Sequence, residues 1–198
     1  MSYMKPTDGS NPHIIIMVGI PGSGKSFFAE QFAATFKAPV VSFNILRSEL
    51  FSAPTFSDNE DSIINQVANY MLGEIFKTGR TIIYEGLANQ RNERTEIARK
   101  ARDAGYDPLF VWVQTEPNSA QKRSIKPVDG RPAMTSEQFT SRLKQFSPPH
   151  ISECAVVISG KHTYNSQLKI VLKSIVTPPP KPIFVSERPA RTSNRLIR

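Results

Sequence analysis

A short segment near the N-terminus, Gly19 to Ser26, has the residue types and spacing that bind a polyphosphate. Its sequence GIPGSGKS matches the pattern G-x-x-x-x-G-K-[ST] at every fixed position. Glycines let the backbone approach phosphates closely, so that successive N–H groups point into one concavity. Lys25 is expected to contact the β- and γ-phosphates, and the Ser26 hydroxyl is expected to hold Mg²⁺. The segment therefore predicts a site for ATP or a similar nucleoside triphosphate.

The predicted nucleotide-binding residues extend one position beyond the motif. They are Gly19, Ile20, Pro21, Gly22, Ser23, Gly24, Lys25, Ser26 and Phe27. A plain glycine-rich turn is a weaker interpretation, because an apolar run precedes the motif and an amphipathic segment follows it. A dinucleotide site is also weaker, since it needs G-x-G-x-x-G spacing and has no use for Lys25.

An acidic residue, Glu85, ends the apolar run TIIYE at residues 81–85. A carboxylate at a strand end beside a phosphate site can orient Mg²⁺ or one of its waters. We therefore predict that Ser26 and Glu85 form the metal site, with Lys25 and Glu85 in catalytic roles. The alternatives are that Glu85 acts as a general base, or that it is only a polar residue at the end of a strand.

The elements that must position these residues alternate along the chain. Short apolar runs typical of buried strands lie at 13–18, 40–43, 81–85, 109–114 and 155–159. Helical spacing or capping patterns are found at 26–36, 44–51, 58–78, 91–104, 116–122, 135–146 and 166–176. This alternation predicts the α/β class, with a parallel sheet covered by helices on both faces. Ligands of such folds bind at the carboxyl ends of the strands.

The ends of the chain differ from its middle. We predict a flexible N-terminus at 1–12, a folded domain at 13–176 and a basic, proline-rich tail at 177–198 that is disordered. Five Lys and Arg residues and one Glu give the tail +4 of the net charge of +8. Such a tail would attract nucleic acid without sequence preference.

The rest of the composition bounds the compartment. Cys154 is the single cysteine, so an internal disulfide is excluded, and the sequence has neither a signal-peptide pattern nor an apolar run of transmembrane length. We expect a soluble cytoplasmic protein that does not bind membranes. No pattern in the sequence predicts an oligomeric state.

The order of the segments GIPGSGKS, VVSFNILRSEL, RTIIYEGLANQRNER, VWVQTEPNSAQKRSIKP and FSPP resembles a known family. It is similar to P-loop kinases of the polynucleotide kinase and zeta toxin group, within the AAA-type P-loop NTPases, over about residues 13–176. The resemblance implies a three-layer sandwich with a five-stranded parallel sheet of order 2-3-1-4-5 and a small helical lid. It also implies transfer of the γ-phosphoryl group of ATP to a hydroxyl.

The family's D-x-x-R motif corresponds here to Asn44-Ile-Leu-Arg47. The resemblance implies catalytic and substrate-binding roles for Arg47, and a substrate-binding role for Asn44. The amide of Asn44 can orient a hydroxyl but cannot accept its proton, so Glu49 and Glu85 are the candidate substitutes for the base. Asn44 is also a candidate N-cap of the following helix.

The lid of this family often carries R-x-x-R, which corresponds here to Arg123-Ser-Ile-Lys126. The resemblance gives Arg123 a catalytic role in stabilising charge on the transferring phosphoryl group. Lys126 and Arg131 are candidates to assist it. For Arg91 and Arg94, at the start of a highly charged helix, a solvated helix face is the favoured interpretation.

Three functions are compatible with this sequence. The leading hypothesis is an ATP-dependent kinase whose acceptor is a polynucleotide 5′-end, a nucleotide sugar or another small molecule with a hydroxyl. The second is a nucleotide-binding module that has lost transfer, because Asn44 replaces the usual acid. The third is a nucleic-acid-associated ATPase or adaptor that acts through the basic tail.

Overall fold

The computed structural model describes residues 11–126 and 133–177. Most of the predicted N-terminus, the loop residue Arg131 and the predicted tail from Pro178 onward lie outside these residues. The proposed domain boundaries at 12 and 177 therefore stay predictions.

The described residues form a five-stranded sheet with seven α-helices. The strands are β1 (His13–Val18), β2 (Val40–Ser42), β3 (Ile82–Glu85), β4 (Asp107–Gln114) and β5 (Val156–Ser159). The helices are α1 (Lys25–Phe36), α2 (Phe43–Leu50), α3 (Asp58–Phe76), α4 (Arg91–Asp103), α5 (Pro117–Ser124), α6 (Ser136–Gln145) and α7 (Tyr164–Val176), with a 3₁₀ turn at Ile151–Glu153. None of the helices in this part of the chain is long and apolar enough to cross a bilayer.

All the strands pair in parallel, in the order β2-β3-β1-β4-β5. This arrangement confirms the predicted α/β class and the sheet order 2-3-1-4-5. The central strand β1 has neighbours on both sides, and its residues from Ile14 to Val18 are at most 1% exposed. A continuous apolar run was the expected sequence signal for such a strand.

Alternate side chains of β1 enter the two halves of the core, because successive strand residues point to opposite faces. Ile14 and Ile16 belong to the cluster formed with α3 and α4. Ile15 and Met17 belong to the cluster formed with α1 and α7. The sheet is therefore the middle of three layers, and the end of β1 delivers the phosphate-binding motif to the edge where all the strands end.

The N-terminus of α2 differs from one sequence interpretation. Asn44 is not its N-cap: the cap is Ser42, whose Oγ accepts a hydrogen bond from the Ile45 N–H at 3.5 Å. The helix begins one residue earlier than expected, at Phe43. Asn44 therefore lies in the first turn of α2, where its amide is available to the site.

The capping pattern at Ser57 is only half realised. Ser57 caps α3 by accepting from the Glu60 N–H, as predicted. The Glu60 carboxylate does not return to Ser57; it accepts instead from the N–H groups of Thr55 and Phe56 and from Arg47. At α6, by contrast, the predicted capping box of Thr135 with Gln138 is complete.

Arg94, in the first turn of α4, corrects the expectation of a solvated helix face. Its side chain is 0% exposed, and its Nε donates to Glu153 at 2.7 Å. Its Nη1 donates to the carbonyls of Ala88 at 3.0 Å and Ser147 at 2.9 Å. Arg94 thus joins the segment after β3 to the segment after α6, whereas Arg91 is exposed as predicted.

We predict that Arg94→Ala lowers the free energy of unfolding by about 3–5 kcal/mol, because it leaves the Glu153 carboxylate, whose side chain is only 9% exposed, without its charged partner. The control is Arg99→Ala in the same helix, which removes an ion pair with Asp103 whose side chains are both 63% exposed. That variant should change the free energy by less than about 1 kcal/mol. Urea unfolding measures both, and equal losses would contradict the assigned role of Arg94.

Candidate active site

The loop between β1 and α1 is packed closely against the ends of two other elements. Gly22 has a φ of 72°, and a Cβ added to it would lie 2.1 Å from the Ala120 carbonyl oxygen in α5. A Cβ on Gly160, just after β5, would lie 2.0 Å from the Ser23 carbonyl oxygen. Only glycine fits at these two positions, so the loop is held in the cradle shape that phosphate binding requires.

Lys25 lies over this cradle. Its Nζ donates to the carbonyl oxygens of Gly19 at 2.8 Å and Ile20 at 2.9 Å. Burial lowers the pKa of the Lys25 ammonium, and the nearby Glu85 carboxylate opposes that shift. The positive charge is thus held beside the loop amides, where a phosphate group would meet both.

The Glu85 carboxylate, at the end of β3, is the meeting point of several polar side chains. It accepts from the Ser26 hydroxyl at 2.5 Å and from the Ser42 hydroxyl at 2.9 Å. The Asn44 amide donates to the same carboxylate and to the Ser26 oxygen, both at 3.4 Å. Glu85 is 4% exposed. The structure thus brings together Ser26, Glu85 and Asn44, which the sequence placed on three different segments.

The donor set at this point suits Mg²⁺. The Ser26 hydroxyl and the Glu85 carboxylate supply oxygen ligands, which Mg²⁺ prefers. In phosphoryl-transfer sites Mg²⁺ binds only a few protein oxygens. No group of three or more acidic, His or Cys side chains that could hold a metal occurs in the described ranges. A cation at Ser26 and Glu85 would therefore complete its shell with water and phosphate oxygens.

Arg123 lies on the opposite side of the cradle, near the end of α5. Its Nη1 donates to the Gly160 carbonyl at 3.2 Å, and the side chain is exposed at the mouth of the cleft. Lys126 and Phe27 line the same cleft. Phe27 is 48% exposed although it is a large apolar residue, so it is free to contact a ligand.

Arg47 also reaches the cleft, but its charge is already paired. Its Nη1 donates to Glu60 at 2.7 Å, and its Nη2 donates to Asp61. The guanidinium lies over the Phe56 ring, 4.7 Å from the centroid. The Nε is buried and has no hydrogen-bond partner. Arg47 is thus a fixed part of the wall of the cleft.

Asp61 and Arg142 also line the cleft, although no sequence pattern predicted a role for them. One oxygen of Asp61 accepts from Arg47, and the other lies 2.5 Å from Nη2 of Arg142 in α6. Arg142 also donates to the Phe56 carbonyl, and Gln138 donates to the Thr55 carbonyl. No local pattern predicts the contacts of Arg142 and Gln138, since α6 is far in the sequence from Thr55, Phe56 and Asp61.

A cleft of about 400 Å³ contains these groups. Among its lining residues are Pro21, Gly22, Gly24, Lys25, Ser26, Phe27, Phe43, Asn44, Arg47, Phe56, Asp61, Glu85, Leu87, Asn89, Arg123, Lys126, Met134 and Arg142. Glu49, a candidate base in the sequence, is exposed and does not line the cleft. Of the two candidate bases, the structure places only Glu85 at the site.

The carboxylate of Glu60 is held ionised by its partners. Burial favours the neutral acid and would raise the pKa, but hydrogen bonds from Thr55, Phe56 and Arg47 lower it from 4.5 to about 2. Because the pKa is lower in the folded state, the stability that Glu60 contributes is present above pH 4.5 and lost as the pH falls toward 2.

We predict that Glu60→Gln makes the free energy of unfolding less dependent on pH between 4.5 and 2, since the variant lacks the group that titrates there. The control is Glu74→Gln in the same helix, where the side chain is 53% exposed and pairs with the exposed Lys77. Urea unfolding at a series of pH values measures the slope. A slope that is unchanged in Glu60→Gln would contradict the assignment.

Solved structures share this architecture over nearly their whole length. A gluconokinase from Sinorhizobium meliloti 1021 has a TM-score of 0.60 at 17% identity, covering 83% of this chain and 92% of its own. The APS kinase CysC of Mycobacterium tuberculosis, in complex with AMPPNP and APS, has a TM-score of 0.61 at 15% identity, covering 84% and 98%. Kti12 of Chaetomium thermophilum, in complex with ADP-AlF3, has a TM-score of 0.61 at 14% identity, covering 81% and 96%.

These likenesses establish the fold, which is one that P-loop kinases use. No curated protein has significant sequence similarity to the chain. Residues 14–149 match the family described as AAA domain, a stretch that runs from β1 to the end of the FSPP segment. The family match over residues 14–149 shows that the chain belongs to the AAA domain family, and its phosphate-binding loop and sheet order are those of the α/β P-loop NTPase fold.

Proposed function

We propose that the protein is an ATP-dependent phosphotransferase that moves the γ-phosphoryl group to a hydroxyl acceptor. The observation that carries this proposal is the 2.5 Å contact between Ser26 and Glu85 at the mouth of the phosphate-binding loop. A nucleotide-binding turn alone needs the loop and Lys25. A carboxylate aimed at the motif serine is what a metal-assisted transfer needs in addition.

At the donor end of the cleft, the loop amides and Lys25 would bind the β- and γ-phosphates. Ser26 and Glu85 would hold Mg²⁺, which supplies charge neutralisation on the phosphates when it is bound. Arg123 lies across the cradle from these residues, beside Gly160. From there its guanidinium is suited to stabilise charge on the transferring group. Phosphoryl transfer depends mainly on such positioning and charge.

At the acceptor end, Asn44 takes the position that the resemblance gives to an acid. Its Nδ2 lies 3.4 Å from both Ser26 Oγ and Glu85 Oε1, so the amide borders the metal-binding oxygens. An amide can orient the acceptor hydroxyl by hydrogen bonding, but it cannot take the proton. Both oxygens of Glu85 are engaged, which makes it a poor base. Because the transition state of phosphoryl transfer is loose, a general base contributes little, and transfer can proceed when Asn44 only orients the acceptor hydroxyl.

Asn44 also favours a second candidate function, a nucleotide-binding module that does not transfer phosphate. Asn44 hydrogen-bonds to Ser26 and Glu85, which are already hydrogen-bonded to each other. Among the described residues that line the cleft, the other carboxylate is that of Asp61, and it is paired with two arginines. If orientation alone is insufficient, the chain binds ATP and transfers nothing. The two candidates differ in one measurable property, the transfer of label to an acceptor.

We predict that radiolabelled phosphate passes from ATP to at least one member of a panel of hydroxyl compounds. Lys25→Ala and Arg123→Ala should each lower the rate by about 10²–10³-fold, because each removes charge stabilisation at the transferring group. The control is Lys122→Ala, next to Arg123 in α5 but not lining the cleft. If Lys122→Ala matched Arg123→Ala, or if none of these variants changed the rate, the proposed site would be wrong.

We predict that Asn44→Asp raises the transfer rate by about tenfold or more, because a carboxylate at this position can accept the acceptor proton. The control, Asn59→Asp, adds the same charge at an exposed position in the first turn of α3. Calorimetry with Mg²⁺ and ATP checks that both variants bind nucleotide. ATP binding without transfer in the natural chain, with transfer appearing in Asn44→Asp, would support the second candidate over the first.

A further inference from the structure

The two ends of the cleft carry different charges. The donor end, around the phosphate-binding loop, has Lys25, Arg123 and Lys126 against Glu85 among the described lining residues. That excess of positive charge matches a nucleoside triphosphate. The opposite wall, formed by α2, the start of α3 and α6, also has arginines, Arg47 and Arg142. The groups around these two arginines differ from those around the cations of the donor end, and those groups determine what can bind at this wall.

The arginines of the acceptor wall are neutralised within the chain. Arg47 pairs with Glu60 and Asp61, and Arg142 pairs with Asp61. Two guanidinium groups face two carboxylates, so the net charge of this group is zero. The exposed fractions of the four side chains lie between 5% and 15%, so water and salt screen the pairs weakly.

An anionic acceptor would have to displace Asp61 before it could bind the Nη2 atoms of Arg47 and Arg142, and the unpartnered Nε of Arg47 is buried. Asp61 uses one oxygen for each arginine, so releasing it breaks both pairs at once. Breaking a buried pair leaves an unpaired charge in a poorly hydrated place, which is strongly unfavourable. Arg47 has no freedom to turn toward a ligand, because its guanidinium also lies over the Phe56 ring.

The other described residues that line this wall are neutral. Phe43, Phe56, Leu87 and Met134 give it an apolar surface, and Asn44 and Asn89 add amides. Amides both donate and accept hydrogen bonds, as hydroxyl groups do, so they suit an uncharged hydroxyl compound. The family resemblance would instead predict a free Arg47 that holds phosphate or substrate.

We propose that the acceptor is an uncharged hydroxyl compound, such as a neutral sugar or nucleoside, and that Asp61 sets this specificity by holding Arg47 and Arg142. The inference rests on the proposed phosphotransferase function. It excludes as preferred acceptors those compounds that carry a phosphate or carboxylate near the reacting hydroxyl. Asp61 is a specificity-determining residue here and takes no part in the chemical step.

The test uses matched pairs of acceptors in which one hydroxyl is blocked by a methyl ether in the uncharged member and by a phosphate in the charged member, so that both keep the same free hydroxyls. Suitable pairs are 6-O-methylglucose with glucose 6-phosphate, 5-O-methylribose with ribose 5-phosphate, and 3′-O-methylthymidine with thymidine 3′-phosphate. The natural chain should favour the uncharged member in kcat/KM by about tenfold or more, since the described residues of this wall offer a phosphate no cation that is not already paired. A preference of similar size for the phosphorylated members would overturn the inference.

The Asp61→Asn variant tests the cause. It leaves two guanidinium groups with only Glu60 to balance them, so the preference should shift toward the phosphorylated members by about tenfold. The control is Asp58→Asn, an exposed acid in the same helix that does not line the cleft, and it should leave the ratio unchanged. An unchanged ratio in Asp61→Asn, or an equal shift in both variants, would show that Asp61 does not set the specificity.

Binding measurements separate this inference from the proposed function. Calorimetry with the same acceptor pairs, in the presence of Mg²⁺ and AMPPNP, reports preference without any transfer. Absence of transfer to every acceptor would refute the phosphotransferase, while tighter binding of the phosphorylated members would refute the neutral acceptor site. The natural chain alone gives this second answer, so the test stands even if Asp61→Asn does not fold.

Discussion

The site depends on one carboxylate, that of Glu85, which is hydrogen-bonded to two other segments of the chain, the start of α1 and the junction of β2 with α2. The sheet order puts β3 between β1 and β2, so the end of β3 lies beside the phosphate-binding loop on one side and beside Ser42 on the other. Ser26, Ser42 and Asn44 all donate to the same pair of oxygens. The sheet order therefore brings Glu85 together with Ser26 and with the Ser42–Asn44 segment, and these groups form one polar cluster at the carboxyl edge of the sheet.

Much of the fold could be predicted from sequence because its signals are local. A buried parallel strand is a short apolar run, and the phosphate-binding motif needs fixed residues at fixed spacing. The sheet order followed from the resemblance, and the structure agrees with it. Local signals also explain one error: Asn44 was a candidate helix cap, and a local pattern cannot show that Ser42, one residue before the helix, is the better cap.

The charged residues that the sequence analysis misjudged or missed are those whose partners are distant. Arg94 is in a helix with few apolar residues, and only the approach of the segments at Ala88 and Ser147 buries it. From the sequence, Asp61 is an acid in the first turn of α3, where its negative charge would stabilise the helix by interacting with the helix dipole. Its arginine partners come from α2 and α6, and no periodicity in the sequence relates those helices.

The hydrogen bonds of Lys25 to the phosphate-binding loop have a thermodynamic consequence. Its ammonium is already fixed by the carbonyls of Gly19 and Ile20, and the loop around it is already shaped by close backbone contacts. A phosphate that arrives exchanges partners with groups that are in place, so little conformational entropy is lost on association. Affinity for the triphosphate then reflects the strength of the new polar contacts more than any ordering of the chain.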